Sequence, residues 1–167
     1  MAGLIGEYVV FGLHGVCEVI GTQTDEKDRS ENYVLQPLSD KRCRLFVPMN
    51  NETALAKMKT LLSPEEAGRI METIGTAADI WIVNENLRKE AYREIVKRGQ
   101  REELMSLIRT LHQQQIEQKK LGRRLHRMDE KYFKDAKKIL FGELAFILQK
   151  DPEEMDSIME DKLGSGC

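Results

Sequence analysis

Cysteine is scarce in this 167-residue chain, and its spacing excludes several kinds of site. Cys17, Cys43 and Cys167 show neither CxxC nor CxxH spacing, which argues against a disulfide framework and against zinc. No apolar run approaches the ~18 residues of a membrane span. The start of the chain also lacks the basic cluster of a signal peptide. We therefore expect a reduced cytoplasmic protein with no membrane partner.

Catalytic signatures are missing as well. The sequence has no P-loop, no GxGxxG and no GxSxG. His14, His112 and His126 have no metal-ligand spacing. The carboxylate pairs Glu65-Glu66 and Glu153-Glu154 fall in predicted first helical turns, where they stabilise the helix dipole. We predict no catalytic residue, no metal site and no cofactor, and hence a binding protein rather than an enzyme.

Residues 1–62 have the pattern of a small β domain. Short β-rich runs alternate with glycine turns and with the polar loop at 24–32. This spacing predicts a strongly bent sheet or a partly open barrel. The predicted strands are Glu7–Phe11, Val16–Thr22, Tyr33–Leu38 and Arg42–Val47, with Leu55–Leu62 as a candidate fifth.

The fourth predicted strand carries polar side chains on one face. Alternation places Cys43, Leu45 and Val47 toward the core and Arg42, Arg44 and Phe46 outward. Arginines on an edge strand often only prevent aggregation. The alternative is that this edge pairs with a partner strand, with Arg and Phe giving specificity.

Residues 63–167 predict a helical domain. Ser63, Pro64 and Glu66 form a capping-box start to a helix that ends near Ile74. A second helix, with an apolar stripe of Leu87, Ala91 and Ile95, stops before Gly99. Three more are expected, at about Gln100–Lys119, from an Asp129 cap to Gln149, and from Pro152 onward. The predicted helix at about Gln100–Lys119 has an inward face of Leu104, Leu107, Ile108 and Leu111. The predicted helix that ends at Gln149 has an inward face of Tyr132 or Phe133, Ala136, Ile139, Leu140, Leu144 and Ile147.

Charge is segregated although the net value is only −2. Residues 88–138 hold 16 Lys/Arg against 8 Asp/Glu, whereas 63–87 hold one against five and 139–167 hold two against seven. Trp81, the only tryptophan, stands just before this basic block. An exposed Trp81 beside basic helices predicts contact with nucleic acid. The plainer interpretation is a solvated basic face with Trp81 in the core.

The order of these features resembles the CarD family of bacterial RNA-polymerase-binding transcription regulators. In the N-terminal half the resemblance lies in GEYVVFGLHGVCEV, YVLQPL and RLFVPMNN. In the C-terminal half it lies in the Trp ahead of a helix, in RKEAYREIVKRGQREELMSLIRTL and in KKILFGELAFIL. The N-terminal domain of that family is Tudor-like and is shared with the transcription-repair coupling factor. The resemblance thus implies an α+β protein, with a Tudor-like RNA polymerase-interaction domain at 1–62 and a helical DNA-binding domain of about five helices at 63–167.

The resemblance also implies a mechanism. One edge strand docks on the RNA polymerase β subunit, a Trp wedges into the minor groove at the upstream edge of the transcription bubble, and basic residues hold the backbone. The family would place polymerase contacts at Gln23, Arg42, Arg44 and Phe46, and promoter-DNA contacts at Trp81, Arg88, Lys89, Arg93, Lys131 and Lys134. Better-known members have arginine where Gln23 and Phe46 align.

These features lead us to expect a nucleoid-associated regulator that modulates open-complex stability. The alternative is an adaptor that binds polymerase or a repair factor without touching DNA. A monomer is expected, with domain swapping through the loop at Gly75–Asp79 as the other arrangement.

Overall fold

The chain forms a small β unit followed by a helical unit. The computed structural model describes residues 4–165, and the division between the two compact units falls between Leu61 and Leu62. The described residues form a five-stranded antiparallel sheet with one short helix, then five longer helices. The predicted α+β class is confirmed. Cys167, one of the three cysteines, lies outside the described residues.

The strands of the sheet are β1 (Tyr8–Phe11), β2 (Val16–Thr24), β3 (Glu31–Pro37), β4 (Leu45–Pro48) and β5 (Met58–Thr60), and the short helix α1 is Glu52–Ala56. The strand order is β4–β3–β2–β1–β5, and each neighbouring pair is antiparallel. An irregularity between Val19 and Gly21 shifts the β2–β3 register by one residue. Such a bulge bends the strand, in keeping with a strongly bent sheet.

One face of the sheet carries the core of the β unit. Its buried members alternate along the strands, as period-two geometry requires. Leu45, Phe11 and Met58 pack at the margin of this cluster. Because Phe46 lies between two core-facing residues of β4, its side chain projects from the opposite face. The buried members are Val9, Cys17, Val19, Tyr33, Leu35 and Val47.

The fourth strand is shorter than its sequence predicts. The Asp40 side chain accepts a hydrogen bond from the Arg42 N–H, and the Asp40 carbonyl accepts one from the Cys43 N–H, both at 3.1 Å. These bonds make a turn, in which aspartate competes with regular pairing. Arg42 and Arg44 therefore precede β4 instead of lying in it, although the predicted exposure of Phe46 and burial of Val47 are correct.

The candidate strand Leu55–Leu62 is also corrected. The Asn51 side chain accepts from the Ala54 N–H at 3.0 Å and so caps α1, which takes up Leu55 and Ala56. Only Met58–Thr60 remains extended, paired with β1. Asparagine is a strong N-cap, and here the cap overrides the apolar pattern that predicted a longer strand.

The helical unit begins with the predicted capping box. The Ser63 hydroxyl accepts from the Glu66 N–H at 3.1 Å, and the Glu66 carboxylate accepts from the Ser63 N–H at 3.0 Å. Gly99 ends the next helix at φ 64°, a left-handed conformation that glycine adopts without strain. The helices are α2 (Pro64–Thr73), α3 (Glu85–Arg98), α4 (Arg101–Lys120), α5 (Arg127–Leu148) and α6 (Pro152–Ser165).

The core faces of α4 and α5 follow the predicted pattern. All four predicted inward residues of α4 are buried, as are both aromatic candidates and the next four apolar positions of α5. Ile147 is half-buried. These residues recur at helical spacing, so burial against neighbouring helices follows directly from the sequence.

Two helical predictions are wrong. The predicted stripe of α3 is right only at Ile95, which is buried. Leu87 is 62% exposed and Ala91 half-buried, while Arg88 and Tyr92 are buried. Asp129 does not cap α5. Its place is taken by His126, whose Nδ1 accepts from the Met128 N–H at 3.3 Å.

A buried carboxylate secures the start of the helical unit. Glu143 of α5 is 1% exposed, and it accepts from Arg101 Nε at 2.9 Å and Nη2 at 2.7 Å. It also accepts from the Leu62 N–H at 2.8 Å. Three donors therefore satisfy this charge, which would otherwise be expensive to bury.

Candidate interaction sites

The predicted docking strand lies at an edge of the sheet. β4 stands at the end of the strand order, where β3 is its pairing partner. Its outer side therefore presents backbone groups that a further strand could pair with. Phe46 is 52% exposed on this strand, which is unusual for a large aromatic and gives the edge an apolar contact point.

Beside this edge lies an open depression of ≈ 540 Å³. Gln23, Asn32 and Pro48 are directly opposite one another across β2, β3 and β4. Phe46, two residues before Pro48, lies on the same face. The tip of the β2–β3 hairpin completes the lining with Thr24, Asp25 and Glu26.

The four residues predicted to contact polymerase separate into two groups. Gln23 and Phe46 line the depression, whereas Arg42 and Arg44 lie in the turn before β4. The Arg42 side chain is 95% exposed and lies 3.5 Å from Asp40. Arg44 Nη1 donates to the carbonyls of Lys41 at 2.7 Å and Cys43 at 3.1 Å, so its guanidinium braces its own turn.

Cys17 offers no reactive thiolate in this unit. It is fully buried in β2, and burial, followed by the nearby Cys43, raises the pKa of the Cys17 thiol to about 11. A thiol with so high a pKa stays protonated near neutral pH and is a poor nucleophile. Both cysteines are free.

In the helical unit, Trp81 lies on a loop tied to the helices on its N-terminal side. The Trp81 N–H donates to the Asp79 carboxylate, and the Ile80 N–H donates to the Thr110 hydroxyl, each at 3.0 Å. The Tyr92 hydroxyl donates to the Ile80 carbonyl at 3.4 Å. Burial, followed by the charge of Asp129, raises the pKa of the Tyr92 phenol, so the hydroxyl keeps its proton. The segment before Trp81 is thus held by residues of α3 and α4.

Arg88 holds the other side of the same loop. The Arg88 side chain is 7% exposed, and its Nη1 donates to the carbonyls of Ile82 at 3.0 Å and Val83 at 3.3 Å. Its guanidinium carbon lies 4.3 Å from the centroid of the Trp81 ring. Its Nε and Nη2 donate to the two carboxylate oxygens of Asp129, at 2.8 and 2.9 Å. Trp81 itself is half-buried.

The structure argues against the predicted role of Arg88 in phosphate binding, because the Arg88 side chain is buried. Its charge is already paired with Asp129, whose side chain is 2% exposed, and its other bonds go to protein carbonyls. A buried, neutralised guanidinium exerts little attraction on a phosphate at the surface. Arg88 supports Trp81 instead.

The remaining predicted DNA contacts are exposed. Lys89 and Arg93 lie four residues apart on α3, and Arg93 is 3.2 Å from Glu90. Lys131 and Lys134 lie on α5, where Lys131 is 3.8 Å from Asp135. Exposed pairs of this kind are weak, so these cations can exchange an internal partner for a phosphate.

The structure brings the first turns of α3 and α5 together near Trp81. The Arg88–Asp129 pair joins them inside, and the contact of His126 Nε2 with Glu85 Oε1, at 3.0 Å, joins them at the surface. Helix N-termini carry partial positive charge. Lys89 and Lys131 follow these two helix ends, where Glu85 and Glu130 offset part of the positive charge.

Comparison with known families identifies the first unit. Residues 4–59 match the family model of the CarD-like/TRCF RID domain. The N-terminal unit is a CarD-like RID domain. The match spans the sheet up to residue 59, one residue before the end of β5, and the helical unit lies outside it. No curated protein matches the chain.

The RID match supports the resemblance found in the sequence and suggests an RNA polymerase-interacting protein. The CarD-like RID domain is a binding domain that contacts the polymerase β subunit. Within residues 4–165, no cluster of three His, Cys, Asp or Glu side chains could hold a metal ion. None of the helices in that range is long and apolar enough to cross a membrane.

Sequence reasoning missed three residues beside Trp81. Asp129 was taken for a helix cap, although it is the partner of Arg88, and a carboxylate in a first turn fits both roles by sequence. Val83 is 85% exposed and Leu87 62% exposed, so two aliphatic side chains shortly after Trp81 in the chain face solvent. The one sequence signal for this exposure is that Val83 ends the apolar run Ile80–Val83, directly before the helix cap Asn84.

Proposed function

We propose that this protein is a transcription regulator that docks on the RNA polymerase β subunit and contacts promoter DNA at the upstream edge of the bubble, where it modulates open-complex stability. The observation that carries the proposal is the pairing of a RID domain with a second unit that displays a half-exposed tryptophan beside basic helix ends. A polymerase partner would keep the protein in the cytoplasm, close to the nucleoid.

Docking would use the free edge of β4. A strand of the β subunit adds to this edge through backbone hydrogen bonds, and side chains near the edge select the partner. Phe46 and Gln23 line the depression beside the edge, and Arg42 projects from the adjacent turn. With Phe46 at the centre, the contact is more apolar than an arginine-based one.

DNA contact would use Trp81 as the wedge and the exposed cations as phosphate ligands. Amphipathic or apolar side chains inserted at a base step in the minor groove unstack it and kink the duplex. Lys89, Arg93, Lys131 and Lys134 would contact the backbone, and each phosphate contact adds to the salt dependence of affinity. Arg88 acts through Trp81 and makes no phosphate contact.

A weak DNA contact is sufficient for this role. Stabilising the open complex by only ~1.4 kcal/mol shifts its equilibrium tenfold. Tethering to polymerase raises the local concentration of the helical unit at the promoter, so a low intrinsic affinity for DNA does not prevent the effect.

The second candidate is an adaptor that binds polymerase or a repair factor without touching DNA. The exposure of Val83 and Leu87 favours it, because exposed aliphatic side chains also suit a protein partner. In that case the cations of α3 and α5 are a solvated surface.

The test is open-complex lifetime on a defined promoter with the matching polymerase. We expect the wild type to prolong the lifetime and Trp81→Ala to remove the effect. The double variant Lys89→Glu/Lys131→Glu should weaken it in a salt-dependent manner. Lys162→Glu, an exposed lysine on α6 outside the basic block, is the matched control and should leave it unchanged. A wild type without influence on the lifetime would exclude the DNA role and favour the adaptor.

Docking is tested separately by polymerase binding. Phe46→Glu should weaken binding to the isolated β subunit, because it places a charge on the apolar point of the β4 edge. Leu13→Glu is the control, since Leu13 is 44% exposed in the turn between β1 and β2 and does not line the depression. Equal losses from both variants would argue against docking at β4.

A further inference from the structure

The Trp81 indole is held by a buried ion pair that joins two helices. Arg88 lies in the first turn of α3 and Asp129 in the first turn of α5, and their side chains make a two-bond contact at 2.8 and 2.9 Å. The remaining bonds of the guanidinium go to the carbonyls of Ile82 and Val83, the two residues that directly follow Trp81. One side chain therefore contacts both the ring of Trp81 and the backbone next to it.

The geometry requires arginine. A guanidinium is a planar fork that can bind a carboxylate with two parallel bonds, donate sideways to carbonyls and stack its face on an aromatic ring. A lysine ammonium carries the same charge, but it cannot make the two-bond contact and the stack together. Aromatic stacking of a desolvated cation adds attraction of its own.

Stability alone does not explain the pair. Buried ion pairs are often no more stabilising than apolar residues of the same volume. What the pair adds is position, since its bonds hold the guanidinium over the indole, 4.3 Å from the ring centroid. Asp79, Thr110 and Tyr92 hold the backbone on the other side of Trp81, so the loop is bonded both before and after the residue that carries the indole.

We propose that Arg88 and Asp129 are positioning residues that set the orientation of Trp81 before any partner is bound. The use of that orientation rests on the proposed function: a pre-set wedge loses less conformational freedom on entering the minor groove than a mobile one. The orientation itself does not depend on that function and can be measured on the free protein.

The experiment uses the full chain and its single tryptophan as the probe. Collisional quenching by acrylamide and the anisotropy of selectively excited tryptophan are measured for wild type, Asp129→Asn and Arg88→Lys. Arg101→Lys is the matched control, because Arg101 makes the same two-bond contact with the buried Glu143 at a place away from the Trp81 loop. Thermal unfolding of each variant shows that it is folded at the measuring temperature.

We expect faster quenching and lower anisotropy in Asp129→Asn and Arg88→Lys, and wild-type values in Arg101→Lys even where its unfolding temperature falls. Wild-type quenching and anisotropy in both Arg88→Lys and Asp129→Asn would overturn the inference, whatever the protein does to promoters. A change in Arg101→Lys as large as in the other two would also overturn it, because the effect would then come from general loosening.

The effect of the same variants on promoter opening is measured in a separate experiment. Open-complex lifetime with Asp129→Asn should fall to that of Trp81→Ala, and the double variant Asp129→Asn/Trp81→Ala should lose nothing more, because both changes remove one effect. If quenching changes as expected while the wild type leaves the open complex unaffected, the proposed function fails and the positioning role stands.

Discussion

The helical unit contains two arginine–carboxylate pairs, each with a buried carboxylate, that have nearly the same chemistry and different consequences. Arg88–Asp129 and Arg101–Glu143 are both two-bond contacts, and both carboxylates belong to α5. The carboxylates are 14 positions apart, close to four full turns, so they lie about 21 Å apart on nearly the same side of the helix. α5 is thereby clamped to α3 near its start and to α4 nearer its end.

The difference lies in what each pair touches besides itself. Glu143 also accepts from the Leu62 N–H, so the second pair secures the entry of the chain into the helical unit. Arg88 donates to the Trp81 loop and stacks on the indole, so the first pair reaches a half-exposed aromatic residue. The same interaction is structural in one place and positions a surface side chain in the other.

The largest expected effect is from removing one arginine and leaving its carboxylate buried without a partner. Arg88→Met should reduce the free energy of unfolding by about 3–5 kcal/mol. Arg101→Met should lie at or below the low end of that range, because the Arg101 side chain is 25% exposed, against 7% for Arg88, and Glu143 keeps the Leu62 N–H. Urea unfolding followed by far-UV circular dichroism measures both.

A larger loss of unfolding free energy in Arg101→Met than in Arg88→Met would contradict this ranking of the two pairs. That result would mean that the exposed fraction of the arginine side chain does not decide how much stability each pair contributes. Native-state tryptophan emission adds an independent check, since it should change for Arg88→Met and stay unchanged for Arg101→Met.

A smaller effect is expected when the whole Arg88–Asp129 pair is replaced by apolar residues. Arg88→Met/Asp129→Leu should recover about 1–4 kcal/mol relative to Arg88→Met, because no charge is left unpaired. The indole should nevertheless stay mobile in anisotropy measurements, since the planar guanidinium is gone. Recovery of stability together with wild-type anisotropy would show that packing alone orients Trp81.

Next in size is the cap beside the structural pair. Ser63→Ala removes the hydroxyl that accepts from the Glu66 N–H and should lower stability by about 1 kcal/mol. The emission of Trp81 should not respond, because this end of the unit is structural only. Ser63→Asp, which keeps an acceptor, is the control and should retain most of the stability.

The smallest effect is a pH dependence away from both pairs. Burial lowers the pKa of His112, a residue of α4, below the ordinary 6.5. The charge of Glu160 acts in the opposite direction but is outweighed, and the charge of Lys137 lowers the pKa further. The folded state therefore disfavours the charged form, and stability should fall as pH drops from about 6.5 toward the lowered value. His112→Gln should flatten the unfolding free energy across that window, and an unchanged slope would assign the pH dependence to other groups.

Much of the architecture could be predicted because it rests on local signals. The capping box at Ser63, the glycine stop at Gly99 and the apolar spacing of α4 each fix a helix through near neighbours in the chain. Alternation in the β-rich runs likewise fixed the face of Phe46 and Val47. The strand ends were harder, since single side chains such as Asp40 and Asn51 replaced extended structure by a turn and a cap.

The candidate site was only partly predictable. Trp81, Lys89 and Lys131 could be selected by residue type and position, and the structure leaves the two lysines exposed and Trp81 half-buried. The burial of Arg88 could not be predicted, because a basic residue in a basic stretch resembles an exposed cation until its partner, 41 positions away, is known. The predicted burial of Leu87 was wrong for a related reason. The neighbouring Arg88, neutralised by its partner, is buried in the helix face that packs against the core, and this leaves Leu87 exposed.

By itself, the sequence determined the order of the units, most of the helices and the solvent-exposed face of β4. These features depend on residue spacing and on contacts between near neighbours in the chain. Only the tertiary structure decided that Arg88 is buried, that Asp129 is its partner and that Trp81 is held between two sets of hydrogen bonds. The physical reason is that a charge can leave water only when an opposite charge meets it, and that meeting depends on the packing of α3 against α5.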